Sequence, residues 1–307
     1  MYNFSIIVPC LNEEKNIEFF IKTAETVLKN KYNFKIIFID DGSTDKTWDI
    51  IKNIKNNFSF VHGIKLSKNF GKENAISCGM SSITDEDFMI SIDADLQHPI
   101  EKIAEMINLW ENGYKIVNTF RINQKENNFR EISSRLFYFF FKKFSDLTIV
   151  ARTTDFILID KIVVKKYDEI SEFNKQYRTL INWLGFKKTD IPIIINSRIN
   201  HESSYTFKKL LNLALNNFTS FSIFPLKVMG YFGLIMIIAT VISIIWILAD
   251  KLILGNISNI QPQTFLILTQ IFLTGIVLIS ISFSAIYVKK ILNNTNNRQS
   301  YIIEKKI

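Results

Sequence analysis

The chain has 307 residues, of which 48% are hydrophobic, and a formal net charge of +8 at pH 7. That length suits one or two domains with a sizeable core. Only two cysteines are present, Cys10 and Cys78, without CxxC or Cys/His ligand spacing, which argues against a disulfide framework and a zinc site. The basic excess indicates nucleic acid, anionic lipid or phosphorylated ligands as partners, or the positive-inside bias of a membrane protein.

The first two thirds of the chain alternate between strand-like and helix-like segments. Apolar runs predict strands over residues 5–8, 35–39, 61–66, 88–92 and 115–119. Helical periodicity predicts helices between them, over residues 13–28, 45–56, 73–82 and 100–112. This alternation is typical of βαβ units with a mostly parallel sheet. Because the start MYNFSIIVPC lacks a basic n-region and a long apolar core, we expect no signal peptide and a cytoplasmic domain.

Polar residues follow these strands, at the sheet edge where α/β proteins bind ligands. Asp93 and Asp95 come directly after the apolar run 88–92, with Gln97 just beyond. Carboxylates so close together repel each other, and Mg²⁺ or Mn²⁺ removes that repulsion while also binding phosphate oxygens. The alternative is a solvated turn, but the position after a buried strand favours a metal site.

From residue 129 onward the composition changes. The pattern predicts an aromatic-rich basic helix over 130–144, a strand over 156–159, helices over 161–170 and 174–183, and a strand over 191–196. Arginines binding phosphate make bidentate, permanently charged contacts. The arginines at 121, 130 and 135 therefore suit a lipid phosphate at a membrane surface, although surface arginines facing anionic lipid are the alternative.

The last third of the chain predicts a membrane anchor. Residues 205–224 form an amphipathic pattern, which favours an interfacial helix over a core-facing one. Residues 228–249 and 264–288 carry no charge, and each exceeds the roughly 20 residues that span a bilayer. Basic residues flank the pair on both outer sides, which predicts a two-helix hairpin with cytoplasmic flanks; two buried core helices are the alternative. The predicted domains are 1–200, 201–227 (juxtamembrane), 228–289 (hairpin) and 290–307 (cytoplasmic tail).

Four motifs in order resemble the nucleotide-sugar domain of family 2 inverting glycosyltransferases, which have the GT-A fold. They are IIVPCLNEE (6–14), FIDDGSTDKT (38–47), LSKNFGKENAISCGM (66–80) and SIDADLQHP (91–99). Five later segments resemble the polyprenyl-phosphate branch with two C-terminal membrane helices: FREISSRLFYFFFKKFSD (129–146), TTDFILIDKIVV (153–164), NWLGF (182–186), SRINHESSY (197–205) and FSIFPLKVMGYFG (221–233).

The resemblance implies roles for individual residues. It implies a nucleotide-sugar pocket formed by Pro9, Leu11, Glu13, Asp40, Asp41, Asn69, Lys72, Asp93, Ala94 and Arg198. It implies a metal, Mg²⁺ or Mn²⁺, held by Asp95, Gln97 and Asp93, and catalytic roles for Asp155 and Asp93. It implies an acceptor-phosphate site formed by Arg121, Arg130, Ser134 and Arg135.

As a whole, the resemblance implies transfer of a hexose, with inversion, from a UDP-sugar to undecaprenyl or another polyprenyl phosphate, for cell-envelope glycan modification. It further implies a multi-pass protein of the bacterial cytoplasmic membrane and a homo-oligomer, a tetramer, without a nucleic-acid partner. Three positions depart from the family pattern: Ile157 and Ser204 replace basic residues, and His201 replaces a glycine. These departures leave the identity of the sugar open.

Two other functions are consistent with part of the sequence. A processive polysaccharide synthase of the same superfamily carries Q-x-x-R-W and more membrane helices, and Gln176-Tyr177-Arg178 lacks that spacing. A catalytically inactive membrane scaffold that binds nucleotide-sugar or lipid gains some support from Ile157 and Ser204. Donor binding without turnover distinguishes the scaffold from the enzyme.

Overall fold

The computed structural model describes residues 2–122, 153–171, 175–194, 262–295 and 299–307, together with scattered residues between 231 and 245. The chain divides into two compact units. The first consists of residues 1–138, 147–203 and 297–307, and the second of residues 139–146 and 204–296.

The first unit is built on one eight-stranded sheet. In chain order its strands are Asn3–Cys10 (β1), Asn33–Asp40 (β2), Val61–Leu66 (β3), Phe88–Ser91 (β4), Ile116–Arg121 (β5), Thr153–Asp160 (β6), Lys188–Ile193 (β7) and Ile303–Lys306 (β8). Their order across the sheet is β7-β5-β6-β4-β1-β2-β3-β8. Strand β6 is antiparallel to its neighbours β4 and β5, strand β8 is antiparallel to β3, and all other pairs are parallel. The predicted α/β class with a mostly parallel sheet is confirmed.

Helices cover both faces of this sheet. In chain order they are Ile17–Leu28 (α1), Thr47–Asn57 (α2), Lys72–Ser81 (α3), Ile103–Glu111 (α4), Lys161–Asp168 (α5) and Tyr177–Trp183 (α6). Side chains of α1, α2 and α4 join one hydrophobic cluster, and side chains of α3, α5 and α6 join another. Strand β1 alternates between the two clusters, since Ile6 belongs to the first and Ile7 to the second. Burial on both faces explains why the central strands read as continuous apolar runs.

Helix α3 approaches β1 unusually closely. A Cβ atom added to Gly79 would lie 2.3 Å from Cγ2 of Ile7, so a larger residue does not fit there without a shift of the helix. Because α3 follows β3 in a βαβ arrangement, this packing holds the first residue of α3, Lys72, at the carboxyl edge of the sheet.

The predicted segments match the observed elements with shifts of a few residues at their ends. The predicted helix 13–28 begins only at Ile17, because a hydrogen bond from Asn16 N to Glu13 O (2.9 Å) closes a turn before it. The predicted strand 191–196 is observed as Lys188–Ile193, three residues earlier. The predicted helices 130–144 and 205–224 lie outside the described residues.

Strand β8 was not predicted, because residues 290–307 were expected only to form a tail. All four of its residues are exposed, so its sequence IEKK has no alternation between apolar and polar positions. Residues flanking the strand make the hydrophobic contacts: Tyr301 packs against one cluster and Ile307 against the other. Lys65 and Glu304 form an ion pair with a 3.3 Å separation across the β3–β8 pair.

The second unit contains the helix Pro262–Thr295, α7. Within it, Phe272–Lys289 has a mean hydropathy of 1.8, and among the described residues this is the one helix long and apolar enough to cross a membrane. Helix α7 contains the whole predicted span 264–288, and the apolar segment Phe272–Lys289 covers most of that span. Of the other predicted span, 228–249, only scattered residues are described, all of them helical. The predicted two-helix hairpin is therefore not confirmed.

Candidate active site at the carboxyl edge of the sheet

The loop after β1 and the loop after β2 are held together by hydrogen bonds between side chains of one loop and backbone N–H groups of the other. Asn12, which has a left-handed φ of 57°, accepts a hydrogen bond from Thr44 N (2.9 Å) and donates its backbone N–H to Ser43 Oγ (3.0 Å). Glu13 N donates to Thr47 Oγ1 at 2.8 Å, and Glu13 Oε2 accepts from Asn16 at 2.6 Å. These contacts give the loop that follows Pro9 and Leu11 a fixed shape.

The two carboxylates at the end of β2 are buried. Asp41 accepts hydrogen bonds from the backbone N–H groups of Phe70 (2.7 Å) and Gly71 (2.9 Å), and so orients the turn that leads into α3. Asp40 Oδ1 accepts from Ser43 N (2.9 Å), whereas Asp40 Oδ2 is buried without a hydrogen-bond partner among the described residues. Burial raises the pKa of both carboxyls above its usual value.

The loop after β4 is partly buried. In this loop Asp93 and Asp95 are partly exposed, whereas three of their neighbours are buried: Ala94, Gln97 and His98. Leu96 has a left-handed φ of 55°, which is costly for a residue with a branched side chain. Backbone strain of this kind persists where the surrounding structure requires it, and it is concentrated at functional sites.

Strand β6 brings a third carboxylate to the same place. Because β6 is antiparallel to β4, with Ile157 opposite Ser91, continuing this register places position 155 opposite position 93. Asp155 is two residues before Ile157, and Asp93 is two residues after Ser91. Lys72 bridges the two carboxylates, with Nζ 2.6 Å from Asp93 Oδ1 and 2.5 Å from Asp155 Oδ2.

Helix α6 supplies two more partners for Asp155. The hydroxyl of the buried Tyr177 donates a hydrogen bond to Asp155 Oδ1 at 2.6 Å, and Arg178 Nε lies 3.2 Å from the same oxygen. Glu73 accepts from Tyr177 N at 3.0 Å and lies 3.8 Å from Arg178, which fixes the start of α6.

These contacts determine the charge of Asp155. Burial alone would raise its pKa, but Lys72 and Arg178 outweigh burial and hold the pKa of Asp155 well below its usual value. Burial alone would lower the pKa of Lys72, and the two carboxylates raise it instead. Asp155 is therefore a carboxylate and Lys72 an ammonium throughout the neutral range.

The aspartates after β4 are suited to a divalent cation. One ligand atom each from Asp93, Asp95 and His98 lies within 4.8 Å of the others. The side-chain nitrogen of the buried Gln97 has no hydrogen-bond partner in the described part of the chain. Oxygen ligands of this kind fit Mg²⁺ and Mn²⁺.

The structure brings part of the predicted site together. Asp93, Asp95, Gln97, Lys72 and Asp155 converge at one edge of the sheet. Asn69 is exposed, and its side-chain oxygen accepts a hydrogen bond from Gly71 N at 3.0 Å. Arg121 is the partly exposed last residue of β5. Four predicted residues lie outside the described residues, namely Arg130, Ser134, Arg135 and Arg198, and so do two of the departures, His201 and Ser204.

The third departure from the family pattern has a simple structural explanation. Ile157 is 2% exposed and belongs to the hydrophobic cluster beneath α3, α5 and α6. Strand side chains alternate between faces, so Asp155 and Ile157 are directed to the same face, with Ile157 further from the edge. In this chain that position is part of the core, while Lys72 and Arg178 supply the positive charge beside Asp155.

Four residues of this site were not predicted from the sequence: Glu73, His98, Tyr177 and Arg178. Tyr177 and Arg178 lie in the predicted helix 174–183, far from Asp155 in the chain, and no local pattern connects them to it. No sequence pattern assigned a role to His98 either. Its position three residues after Asp95 was the one available signal.

Comparison with known proteins identifies relatives over nearly the whole chain. Residues 5–168 match the family model described as glycosyl transferase family 2. The prophage bactoprenol glucosyl transferase homolog of Escherichia coli (strain K12) is 33% identical over 303 residues, which are 98% of this chain and 98% of the relative. Bactoprenol glucosyl transferase of Shigella phage SfII is 33% identical over 303 residues, which are 98% of this chain and 97% of the relative.

Solved structures include similar folds at lower identity. The crystal structure of S. aureus TarS 1-349 in complex with UDP-GlcNAc is 16% identical, covers 71% of this chain and 66% of that chain, and superposes with a TM-score of 0.49.

Proposed function

The chain belongs to glycosyl transferase family 2, and from that premise we propose that it transfers one sugar from a nucleotide diphosphate-sugar to a polyprenyl phosphate. The donor we propose is a UDP-hexose, and the transfer inverts the anomeric carbon. The observation that carries the proposal is the Lys72-bridged pair Asp93 and Asp155 beside Asp95, at the carboxyl edge of the sheet. Relatives named bactoprenol glucosyl transferase, similar along 98% of this chain, support the lipid acceptor.

The donor is proposed to bind along the ends of β1, β2 and β4. Leu11 is 41% exposed and offers an apolar surface to the base. The unpartnered Oδ2 of Asp40 accepts a donor group from the nucleotide. The other proposed donor contacts are Pro9, Glu13, Asp41, Asn69, Lys72, Asp93, Ala94 and Arg198. Asp41 contributes through the backbone turn that it holds, because both of its oxygens already accept hydrogen bonds.

Asp95, Gln97 and Asp93 are proposed to hold Mg²⁺ or Mn²⁺ at the donor diphosphate. A divalent cation bound there supplies Lewis-acid stabilisation of the charge that builds up on the leaving diphosphate. Lys72 offsets part of the negative charge of Asp93 and Asp155, which lowers the repulsion between this acidic edge and an anionic donor.

The acceptor is proposed to attack through a phosphate oxygen. That oxygen forms a bond to the anomeric carbon as the bond between the carbon and the diphosphate breaks. A phosphate monoester has its second pKa near 6 and is mostly dianionic at pH 7, so it needs no base to attack. Asp155, whose pKa is held low, is a poor proton acceptor and acts as a positioning group for the acceptor. Arg121, Arg130, Ser134 and Arg135 are the proposed contacts to the acceptor phosphate.

The acceptor lipid requires a membrane location, which the apolar segment of α7 supports. We propose two spans, 228–249 and 264–288, joined to the catalytic domain 1–200 by the juxtamembrane segment 201–227 and followed by the cytoplasmic segment 290–307. With basic residues on both outer flanks, the catalytic domain faces the cytoplasm of a bacterium. A homo-oligomer, a tetramer, is proposed for the assembled enzyme.

A lipid-extraction assay tests the proposal. Membranes containing the chain are incubated with undecaprenyl phosphate and radiolabelled UDP-glucose, UDP-galactose, UDP-N-acetylhexosamine or GDP-mannose. We expect chloroform-soluble label with one of the UDP-sugars, and no label with any donor would contradict the function. Asp95→Ala should abolish transfer, whereas Asp85→Ala should leave it unchanged, since Asp85 is an exposed aspartate at the opposite edge of the sheet. Donor binding without transfer by the wild-type chain would indicate the inactive scaffold.

A further inference from the structure

His98 is a buried histidine whose ring nitrogens are not satisfied by the described residues around it. It is 2% exposed, and neither of its ring nitrogens has a hydrogen-bond partner among the described residues. One face of the ring packs near Phe156, with ring centroids 5.7 Å apart. A neutral imidazole has one donor and one acceptor, and leaving both unsatisfied in the interior is unfavourable. Within the described part of the chain, His98 is therefore a buried polar group without a hydrogen-bond partner.

The surroundings of His98 indicate what that partner is. One ring nitrogen lies within 4.8 Å of ligand oxygens of both Asp93 and Asp95. Two ligands of one ion, each with a bond of about 2.1 Å, lie at most about 4.2 Å apart. Small side-chain movements therefore bring all three groups onto one cation. The other charged groups near His98 are Lys72 and Asp155, which already bind each other.

The loop geometry favours the same conclusion. The left-handed residue Leu96 turns the chain sharply between Asp95 and the buried pair Gln97 and His98. The hydrogen bond from Gln97 N to Asp95 Oδ1, at 3.2 Å, closes that turn. The strained turn therefore lies within the short segment that contains Asp93, Asp95 and His98, and backbone strain of this kind is concentrated at functional sites.

We propose that His98 is a ligand of the cation held by Asp93 and Asp95, and that it makes the site prefer Mn²⁺ over Mg²⁺. The inference rests on the proposed function, and it adds a nitrogen ligand and a metal preference to that site. Carboxylate oxygens suit both Mg²⁺ and Mn²⁺, whereas an imidazole nitrogen is a better ligand for first-row transition ions, to which Mn²⁺ belongs and Mg²⁺ does not. Replacing one oxygen ligand by an imidazole nitrogen therefore shifts affinity toward Mn²⁺.

The direct test is pulsed electron paramagnetic resonance on bound Mn²⁺. The full chain is purified in detergent without a histidine tag and loaded with one equivalent of MnCl₂. Electron spin-echo modulation should show a ¹⁴N coupling from a directly bound imidazole. This measurement needs no variant, so a variant that fails to fold cannot obscure it. Bound Mn²⁺ without nitrogen coupling would overturn the proposal, and so would the absence of Mn²⁺ binding.

Two variants and a metal competition complete the test. His98→Gln should lose the ¹⁴N coupling and weaken Mn²⁺ binding by about tenfold or more, with a smaller change for Mg²⁺ measured by competition. His62→Gln is the matched control, because His62 lies on β3 away from the aspartates and should keep both coupling and affinity. Unchanged Mn²⁺ affinity in folded His98→Gln would contradict the proposal. Sugar transfer by a wild-type chain without nitrogen coupling would leave the proposed function intact and remove only the ligand assignment.

Discussion

Lys72→Met tests the charge arrangement at the centre of the site. In the wild-type chain one ammonium lies 2.6 Å from Asp93 and 2.5 Å from Asp155. Methionine retains most of the side-chain length and removes the charge. The two carboxylates then face each other without a common cation, and among the described residues Asp155 keeps Arg178 and Tyr177 as partners.

The magnitude follows from the burial of these groups. Removing one member of a fully buried ion pair costs about 3–5 kcal/mol. The Lys72 side chain is 43% exposed, whereas Asp155 is 15% exposed, so water screens the pair on one side. Discounting for that screening, we expect a loss of roughly 1–3 kcal/mol in the free energy of unfolding at pH 7. At about 2–4 °C per kcal/mol, the melting temperature should fall by roughly 2–12 °C.

The assay is thermal unfolding of the full chain in detergent, followed by intrinsic fluorescence. Lys161→Met is the matched control: Lys161 is likewise the first residue of its helix, but it forms only a 3.6 Å surface pair with Asp87. We expect the control to change stability by less than about 1 kcal/mol. If Lys72→Met is no more destabilised than Lys161→Met, the bridging lysine does not stabilise this site.

The stability difference between wild type and Lys72→Met should also depend on pH, in a direction set by the pKa of Asp155. The folded-state pKa of Asp155 is depressed, so its ion pairs stabilise the protein above the unfolded-state pKa of about 3.9, and that stabilisation is lost as the pH falls toward the lower folded value. Removing Lys72 raises the folded-state pKa of Asp155. The stability difference between wild type and Lys72→Met should therefore be full at pH 7 and should shrink below about pH 4. A stability difference that grows on acidification would mean that Lys72 does not stabilise the ionised form of Asp155.

Three further predictions concern packing, the last strand and the reaction. Gly79→Ala should destabilise by about 1–3 kcal/mol in the same unfolding assay, because its Cβ would lie 2.3 Å from Ile7 Cγ2; an unchanged melting temperature would mean that α3 shifts freely. Deleting residues 301–307 should cost up to about 3 kcal/mol through the buried contacts of Ile307, whereas Lys305→Ala, at an exposed position of β8, should cost little. Asp155→Asn should lower the transfer rate but leave unchanged the fall in rate below about pH 6, because that fall reflects protonation of the acceptor phosphate. If the fall in rate near pH 6 disappears in Asp155→Asn, Asp155 is the general base of the reaction.

Local sequence patterns predicted the parts of the fold that depend on local physics. The run Phe88–Ser91 is buried on both faces, so its apolar sequence identified a central strand, and Asp93 and Asp95 were correctly placed at its end. Strand β8 was missed because its own side chains are exposed and its contacts come from flanking residues. The alternation of apolar and polar residues in a strand reflects which side chains are buried. Strand β8 lacks such a pattern because backbone pairing with β3 holds it at the sheet edge.

The candidate site was predictable only where its residues are neighbours in the chain. Asp93, Asp95 and Gln97 share one short loop, and their chemistry could be inferred from spacing. Arg178 and Asp155 are in contact because α6 packs beside α3 and α5. This packing between distant segments cannot be read from the sequence of any one of them. The role proposed for His98 depends on its burial beside two carboxylates, without a hydrogen-bond partner among the described residues, which the sequence does not reveal.

The chemical identity of the lipid product shows whether the chain is an inverting polyprenyl-phosphate glycosyltransferase. Purified chain is incubated with undecaprenyl phosphate, Mn²⁺ and the UDP-hexose that labels the lipid in the extraction assay, and the extracted lipid is examined by mass spectrometry and by NMR of the anomeric proton. The proposed function predicts a hexosyl-phosphoryl lipid with a β anomer, inverted from the α-linked donor, and its absence with Asp95→Ala. An α-linked product, or the same yield from Asp95→Ala, would contradict it.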